Sequence, residues 1–187
     1  REDSWYEYVP DSLDREKPVP VVFSRHGGGQ SGWGQCYATS WNYVADREGF
    51  IVVYPDMVFD HTPGGNTEKF GEKIEHEILF IDGLIEELKG KYNIDESRIY
   101  RQGRSMGNLM TTNYSRYSGQ KLAGAGECAG PSPIQAMWTE DGKIKDHTCA
   151  VPVFQSRGEN DDMAINGGYD GKATRNDINR ANKRFWL

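Results

Sequence analysis

The chain of 187 residues has 22 basic and 28 acidic side chains, a formal net charge of −6, and 36% hydrophobic and 12% aromatic residues. Its length suits one domain with a sizeable core, and its aromatic content excludes a disordered chain. An acidic chain without basic runs argues against nucleic acid or an anionic membrane as its main partner. No apolar stretch approaches the roughly 18 residues of a membrane-spanning helix.

The first part of the chain predicts strands and one short helix. Residues 5–9 alternate aromatic or apolar with polar side chains, which is typical of a half-buried strand. Residues 19–23 and 50–54 are continuous β-branched and aromatic runs, which predict buried strands. A short helix is expected at 40–47, with Gly49 just past its end.

The later part of the chain continues this alternation. Residues 56–73 are rich in Gly, Pro, Asn and Thr and are expected to form a loop, while 74–92 carry an apolar stripe at helical spacing. The remaining predicted elements are a strand at 98–103, a helix at 106–117, strands at 122–129 and 151–155, and a helix at 173–186. Strands that alternate with helices indicate an α/β domain with a mainly parallel sheet.

The sequence Gly103-Arg-Ser-Met-Gly107 has the pattern G-x-S-x-G and stands between a predicted strand and a predicted helix. In that setting the serine lies on a tight strand-to-helix turn, which exposes its hydroxyl at the carboxyl end of the sheet. The helix also directs its first N–H groups to the same place. The pattern predicts that Ser105 is a catalytic nucleophile; a serine that only caps a helix is the alternative.

A serine that attacks a carbonyl group needs donors for the oxyanion that forms. One donor is the backbone N–H of the residue after the nucleophile, here Met106. The other comes from the loop after an earlier strand, where H-G-G-G-type sequences recur. His26-Gly-Gly-Gly29 follows the first buried strand, so we expect the oxyanion loop there. A flexible glycine turn with a structural His26 is the alternative.

The acid of a catalytic triad should follow the nucleophile, on a loop after a later strand. Residues 158–162 form that loop, directly after the strand predicted at 151–155. Asp161 is the candidate acid, and Asp162 and Glu159 are alternatives. Acidic loop residues are also common as solvated surface groups without a catalytic role.

Several segments resemble the polyhydroxybutyrate-depolymerase and feruloyl-esterase branch of the α/β-hydrolases. They are residues 19–29, 41–55, 80–92, 99–110 and 151–161. The resemblance implies an α/β-hydrolase fold, with helices on both faces of a mainly parallel sheet, and an extracellular serine esterase without metal or organic cofactor. The implied substrate is a feruloyl or acetyl ester on a plant polysaccharide, or a short polyester.

The resemblance also implies the site residues. The nucleophile, the acid and the oxyanion donors are Ser105, Asp161, and Gly27 or Gly28 with Met106. Trp33, just after the glycine loop, is a candidate for stacking on an aromatic acid or a sugar, although it is equally suited to packing. Three residues depart from the branch: Arg25 replaces an apolar residue, Arg157 replaces a histidine, and Asn108 replaces a glycine.

The triad histidine is missing from its expected place. The order in this superfamily is Ser, then Asp or Glu, then His, but the four histidines, residues 26, 61, 76 and 147, all precede Asp161. His26 belongs to the expected oxyanion loop, whereas His61 follows the strand at 50–54 on the correct edge and is the internal alternative. We therefore expect a single domain over 1–187 that lacks its last strand and helix, with the catalytic histidine beyond residue 187.

Two other functions are compatible with this fold. One is a catalytically inactive protein that binds carbohydrate through its aromatic surface, and the other is a peptidase, which usually carries an additional domain. The three cysteines, Cys36, Cys128 and Cys149, fit no metal site and leave the compartment and disulfide pairing open.

Overall fold

The computed structural model describes residues 2–56, 70–129 and 150–158, together with residues 139, 141, 143, 144, 180, 183 and 184; for 70 and 71 it describes the backbone alone. Within these ranges six strands form one sheet in the order β1-β3-β2-β4-β5-β6. The strands are β1 (Ser4–Tyr8), β2 (Val19–Arg25), β3 (Ile51–Asp56), β4 (Ile94–Arg104), β5 (Gly124–Cys128) and β6 (Val153–Ser156). Only the β1–β3 pair is antiparallel among these strand pairs, as the sequence predicts for a mainly parallel sheet.

Helices cover both faces of the sheet. They are α1 (Gly32–Ala38), α2 (Trp41–Glu48), α3 (Phe70–Lys91) and α4 (Met106–Ser118), followed by a 3-10 turn at Gly119–Lys121. Successive residues of β2 point to opposite faces: Phe23 packs with Ile81 and Leu84 of α3, whereas Val22 packs with Ala45 of α2. The predicted α/β-hydrolase architecture is therefore present. Of the helices in the described ranges, none is both long and apolar enough to cross a membrane.

The largest differences from the predicted element boundaries are in three places; the ends of β1, β5 and β6 also differ by one or two residues. Helix α1 was not predicted, because Gly32 and Gly34 in seven residues are typical of a loop. Ser31 caps this helix by accepting a hydrogen bond from the Gly34 N–H at 3.1 Å. Helix α3 begins at Phe70, so the prediction of a loop is wrong for 70–73; an acidic residue in the first turn favours this earlier start.

The third difference concerns the ends of β3 and β4. Pro55 lies within β3 opposite Trp5 of β1, beyond the last β2 partner at Val53, so its missing N–H breaks no bond to β2. Strand β4 is longer than predicted and runs directly into the G-x-S-x-G sequence.

Gly49 lies just past the end of α2, as predicted, and has the left-handed conformation, at φ 73°. The helix expected at 173–186 lies mostly outside the described residues.

Candidate active site

Ser105 occupies the turn between β4 and α4 in a conformation that residues other than glycine rarely adopt. Its φ is 56° and its ψ is −117°, and such backbone strain is concentrated at functional sites. Its N–H donates to the Cys128 carbonyl of β5 at 3.2 Å, while its side chain is exposed. The serine hydroxyl is thus presented to solvent at the carboxyl end of the sheet, at the start of α4.

Two glycines make this turn sterically feasible. A Cβ added to Gly103 would lie 2.0 Å from the Gly107 carbonyl oxygen. A Cβ on Gly107 would lie 2.5 Å from the carbonyl oxygen of Arg25 and 2.6 Å from that of His26. Both positions therefore exclude any side chain, and the predicted strand–turn–helix setting of G-x-S-x-G is present.

The glycine loop after β2 packs directly on this turn. A Cβ on Gly27 would lie 3.4 Å from the Ser105 Cβ, and one on Gly28 would lie 3.7 Å from the Met106 Cβ. Gly29 has a positive φ of 70°, which explains a glycine there. The structure brings Gly27, Gly28 and Met106 together around Ser105, as an oxyanion site requires; their role as donors stays a prediction.

Two histidines, His26 and His76, lie in the described ranges. His26 is buried, its Nδ1 donates to the Gly27 carbonyl at 2.7 Å, and its Nε2 is 3.9 Å from Asp56 Oδ1. It therefore anchors the glycine loop. His76 on α3 contacts Asp3. The predicted acid Asp161, its alternatives Asp162 and Glu159, and His61 and His147 lie outside the described residues.

Trp33 stands on α1, which a buried polar network fixes to the sheet. Gln35 of α1 donates to Ser24 Oγ at 3.1 Å, and Gln102 of β4 donates to the same oxygen at 2.7 Å. Gly32 lies so close to β3 that a Cβ would be 2.5 Å from the Tyr54 carbonyl oxygen. The Trp33 ring remains 60% exposed, so it is accessible to a ligand; its role as a substrate contact stays a prediction.

A buried ion cluster, which sequence reasoning missed, lies beneath the site. Arg25 Nε donates to both carboxylate oxygens of Glu77, at 3.2 and 3.1 Å, and Arg101 donates to one of them. All three side chains are almost fully buried, and the Arg101 guanidinium lies 4.9 Å from the Tyr114 ring centroid. Glu77 thus compensates charge at Arg25, where the resemblance implies an apolar residue. The sequence did contain a signal for this cluster. Glu77 lies four residues before Ile81, so that a charged residue interrupts the apolar stripe of α3.

Glu127 is a second buried acid that sequence reasoning missed. It is the penultimate residue of β5 and pairs with Gly103 of β4. Its carboxylate accepts hydrogen bonds from Thr112 Oγ1 of α4, at 2.5 Å, and from the Gln155 amide of β6. Burial raises the pKa of Glu127, and these two hydrogen bonds lower it by less. This acid links the helix that follows Ser105 to the strand that leads into the predicted acid loop.

In the described part of the chain, no group of three or more His, Cys, Asp or Glu side chains is arranged to hold a metal ion. Cys36 and Cys128 are free thiols, and Cys149 lies outside the described residues.

The sequence is similar to curated esterases and to a depolymerase, although no protein-family model matches it. It is 30% identical over 156 residues to the bifunctional acetylxylan esterase/xylanase XynS20E of Neocallimastix patriciarum, a match that covers 83% of this chain and 21% of the relative. It is 27% identical over 190 residues to feruloyl esterase B of Thermothelomyces thermophilus, a match that covers 92% of this chain and 61% of the relative. It is 28% identical over 175 residues to poly(3-hydroxyalkanoate) depolymerase C of Paucimonas lemoignei, a match that covers 89% of this chain and 39% of the relative.

The fold matches solved structures over nearly the whole chain. A thermostable esterase superposes with a TM-score of 0.61 at 21% sequence identity, covering 98% of this chain and 47% of the other. This similarity establishes the fold. The chain spans between about a fifth and three fifths of the lengths of the three curated relatives.

Proposed function

Since this chain belongs to the α/β-hydrolases and is similar in sequence to their feruloyl-esterase and polyhydroxyalkanoate-depolymerase branch, we propose that it is a serine carboxylic-ester hydrolase with Ser105 as nucleophile. The observation that carries this proposal is the strained, exposed Ser105 between β4 and α4, with the glycine loop packed against it. The described sheet and helices belong to one catalytic domain in this proposal.

The proposed reaction passes through an acyl-enzyme. Ser105 Oγ attacks the ester carbonyl while a histidine takes its proton, and collapse of the tetrahedral intermediate releases the alcohol. The histidine gives this proton to the departing alcohol. It then takes a proton from the water that attacks the acyl-enzyme and passes it to Ser105 Oγ as the acid is released. The oxyanion of each intermediate is held by backbone N–H groups of Met106 and of Gly27 or Gly28. Asp161 orients the histidine.

The proposed substrates are feruloyl or acetyl esters on plant polysaccharides, or short polyesters. The names of the three relatives support these classes. The exposed Trp33 ring, in contact with Tyr6 at 5.7 Å between centroids, offers a flat apolar surface for an aromatic acid or a sugar ring. An extracellular location forms part of this proposal, because such polymers lie outside the cell.

Hydrolysis of p-nitrophenyl acetate and methyl ferulate by the natural protein tests this function. We expect turnover of both esters, and a loss of at least about a thousandfold in kcat for Ser105→Ala. Ser12→Ala, at an exposed serine of the turn after β1, is the matched control and should retain activity. A folded protein without turnover would instead support the inactive binding protein.

Trp33→Ala separates the substrate contact from the chemistry. We expect KM for methyl ferulate to rise about tenfold while KM for methyl acetate changes less, because methyl acetate has no ring that could stack on Trp33. Tyr43→Ala, at an exposed aromatic on α2, serves as the control. Equal changes for both esters would contradict a stacking role.

A further inference from the structure

Arg104 lies between the two parts of the candidate site. It is the last residue of β4 and immediately precedes Ser105. Its partly exposed side chain reaches across to the glycine loop, where Nη2 donates to Gln30 Oε1 at 2.5 Å. Its carbonyl oxygen would contact a Cβ on Gly27 at 3.4 Å. The hydrogen bond therefore holds the guanidinium at the glycine loop, whose Gly27 packs on Ser105.

Arg104 differs from other exposed arginines of the described ranges in its hydrogen-bond partner. Two of these, Arg47 and Arg98, each bind a neighbouring carboxylate, Glu48 and Asp95 respectively. Within the part of the chain that the structure describes, no carboxylate forms an ion pair with Arg104; its hydrogen-bond partner is a neutral amide. Among the described residues, Arg104 thus carries a positive charge without a carboxylate partner, in a chain of net charge −6.

The hydrogen-bonding capacity of this guanidinium exceeds what the described residues use. A guanidinium has five N–H donors in a planar fork, and the bond to Gln30 uses one of them. The other edge of the fork matches a carboxylate in a bidentate geometry. Because Gln30 restricts the side chain, little conformational entropy is lost when an anion binds.

We propose that Arg104 is a specificity-determining residue that binds a carboxylate carried by the substrate close to the scissile ester. This inference rests on the proposed esterase function and narrows its substrate class to acidic esters. Two sources supply this chemistry: a uronate sugar in a polysaccharide, and the free acid end of an oligoester. Both place a carboxylate within a few bonds of an ester group.

A pair of substrates that differ only in one charge tests the proposal. p-Nitrophenyl hemisuccinate is anionic, and its methyl ester is neutral. In Arg104→Gln, we expect the ratio of kcat/KM for the anionic ester to that for the neutral ester to fall by about 10- to 100-fold. Arg104→Lys should restore part of the ratio, because it keeps the charge without the fork. Arg98→Gln, at an exposed arginine remote from Ser105 along β4, is the control and should leave the ratio unchanged.

A purely structural role of the Arg104–Gln30 hydrogen bond predicts a different result. If Arg104 only fastened the glycine loop to the turn, Arg104→Gln would lower kcat/KM for both esters by the same factor. An unchanged ratio overturns the proposal, and so does a ratio in the unmodified protein that does not fall with added salt.

Equilibrium binding separates failure of this proposal from failure of the esterase function. Glucuronate, its methyl ester and hydroxybutyrate are titrated into Ser105→Ala protein and followed by calorimetry. We expect glucuronate and hydroxybutyrate to bind about tenfold more tightly than the neutral methyl ester. Addition of Arg104→Gln to the Ser105→Ala protein should remove that difference. Preference for glucuronate over hydroxybutyrate assigns the polysaccharide source, and the reverse assigns the oligoester. Equal affinities for charged and neutral ligands overturn the subsite even when esters are hydrolysed.

Discussion

Gly107 of α4 approaches Arg25 of β2 so closely that a Cβ on the glycine would lie 2.5 Å from the Arg25 carbonyl oxygen. The contact joins the helix that follows Ser105 to the strand that leads into the glycine loop. Two segments separated by about 80 residues in sequence therefore pack as one unit. A displacement of either segment changes the distance between Ser105 and Gly27.

Gly107→Ala tests this close approach. Because the added methyl group overlaps two carbonyl oxygens, α4 must shift, and we expect a destabilisation of about 1–3 kcal/mol with a large loss of reactivity at Ser105. Urea denaturation measures the first effect, and the rate of phosphonate labelling measures the second. Gly83→Ala is the control, since no atom lies within 4 Å of its added Cβ; it should be neutral or stabilising by up to about 1 kcal/mol. Labelling of Gly107→Ala at the parent rate would refute the packing argument.

Glu77→Gln tests the buried ion cluster. The amide cannot neutralise two buried guanidinium groups, Arg25 and Arg101, so we expect a loss of about 3–5 kcal/mol in the free energy of unfolding. Glu75→Gln, at an exposed position of the same helix, should change it by less than about 0.5 kcal/mol. Urea denaturation of both variants under the same conditions measures the difference. Equal stabilities would mean that the charge of Glu77 is dispensable.

Glu127→Gln tests the cost of burying a carboxylate beside β4. Burial raises the folded-state pKa of Glu127 above its ordinary value of 4.5. The folded state therefore binds the proton of Glu127 more tightly than the unfolded state does, which stabilises the fold. This stabilisation is fully present below the ordinary pKa and is lost as pH rises through the folded-state pKa. Glutamine has no such loss.

We therefore expect the free energy of unfolding of Glu127→Gln to increase relative to that of the parent as pH rises above the ordinary pKa of 4.5 and through the raised folded-state value. Chemical denaturation across this range measures the difference, with Glu16→Gln at an exposed site as the control. A difference that is constant with pH, or that favours the parent as pH rises, is inconsistent with the raised pKa.

The sequence predicted those features that local chemistry determines. Buried strands were evident as continuous apolar runs, and the turn at Ser105 was evident because its glycines stand between a strand and a helix. Helix α1 could not be predicted locally, since Gly32 is required by the Tyr54 carbonyl of β3, which is 22 residues away in sequence. The same limit applies to Arg25: its charge is compatible with the core only because α3 brings Glu77 to it. The predicted acid Asp161 stays a prediction.

The reactivity of Ser105 is the most direct test of the proposed function. The natural protein is treated with a fluorophosphonate, and the product is examined by intact mass and peptide mapping. We expect a single adduct on the peptide that contains Ser105, and none in Ser105→Ala. Ester hydrolysis by protein whose Ser105 stays unmodified, or an adduct on a different serine, would contradict the assignment of Ser105 as the nucleophile.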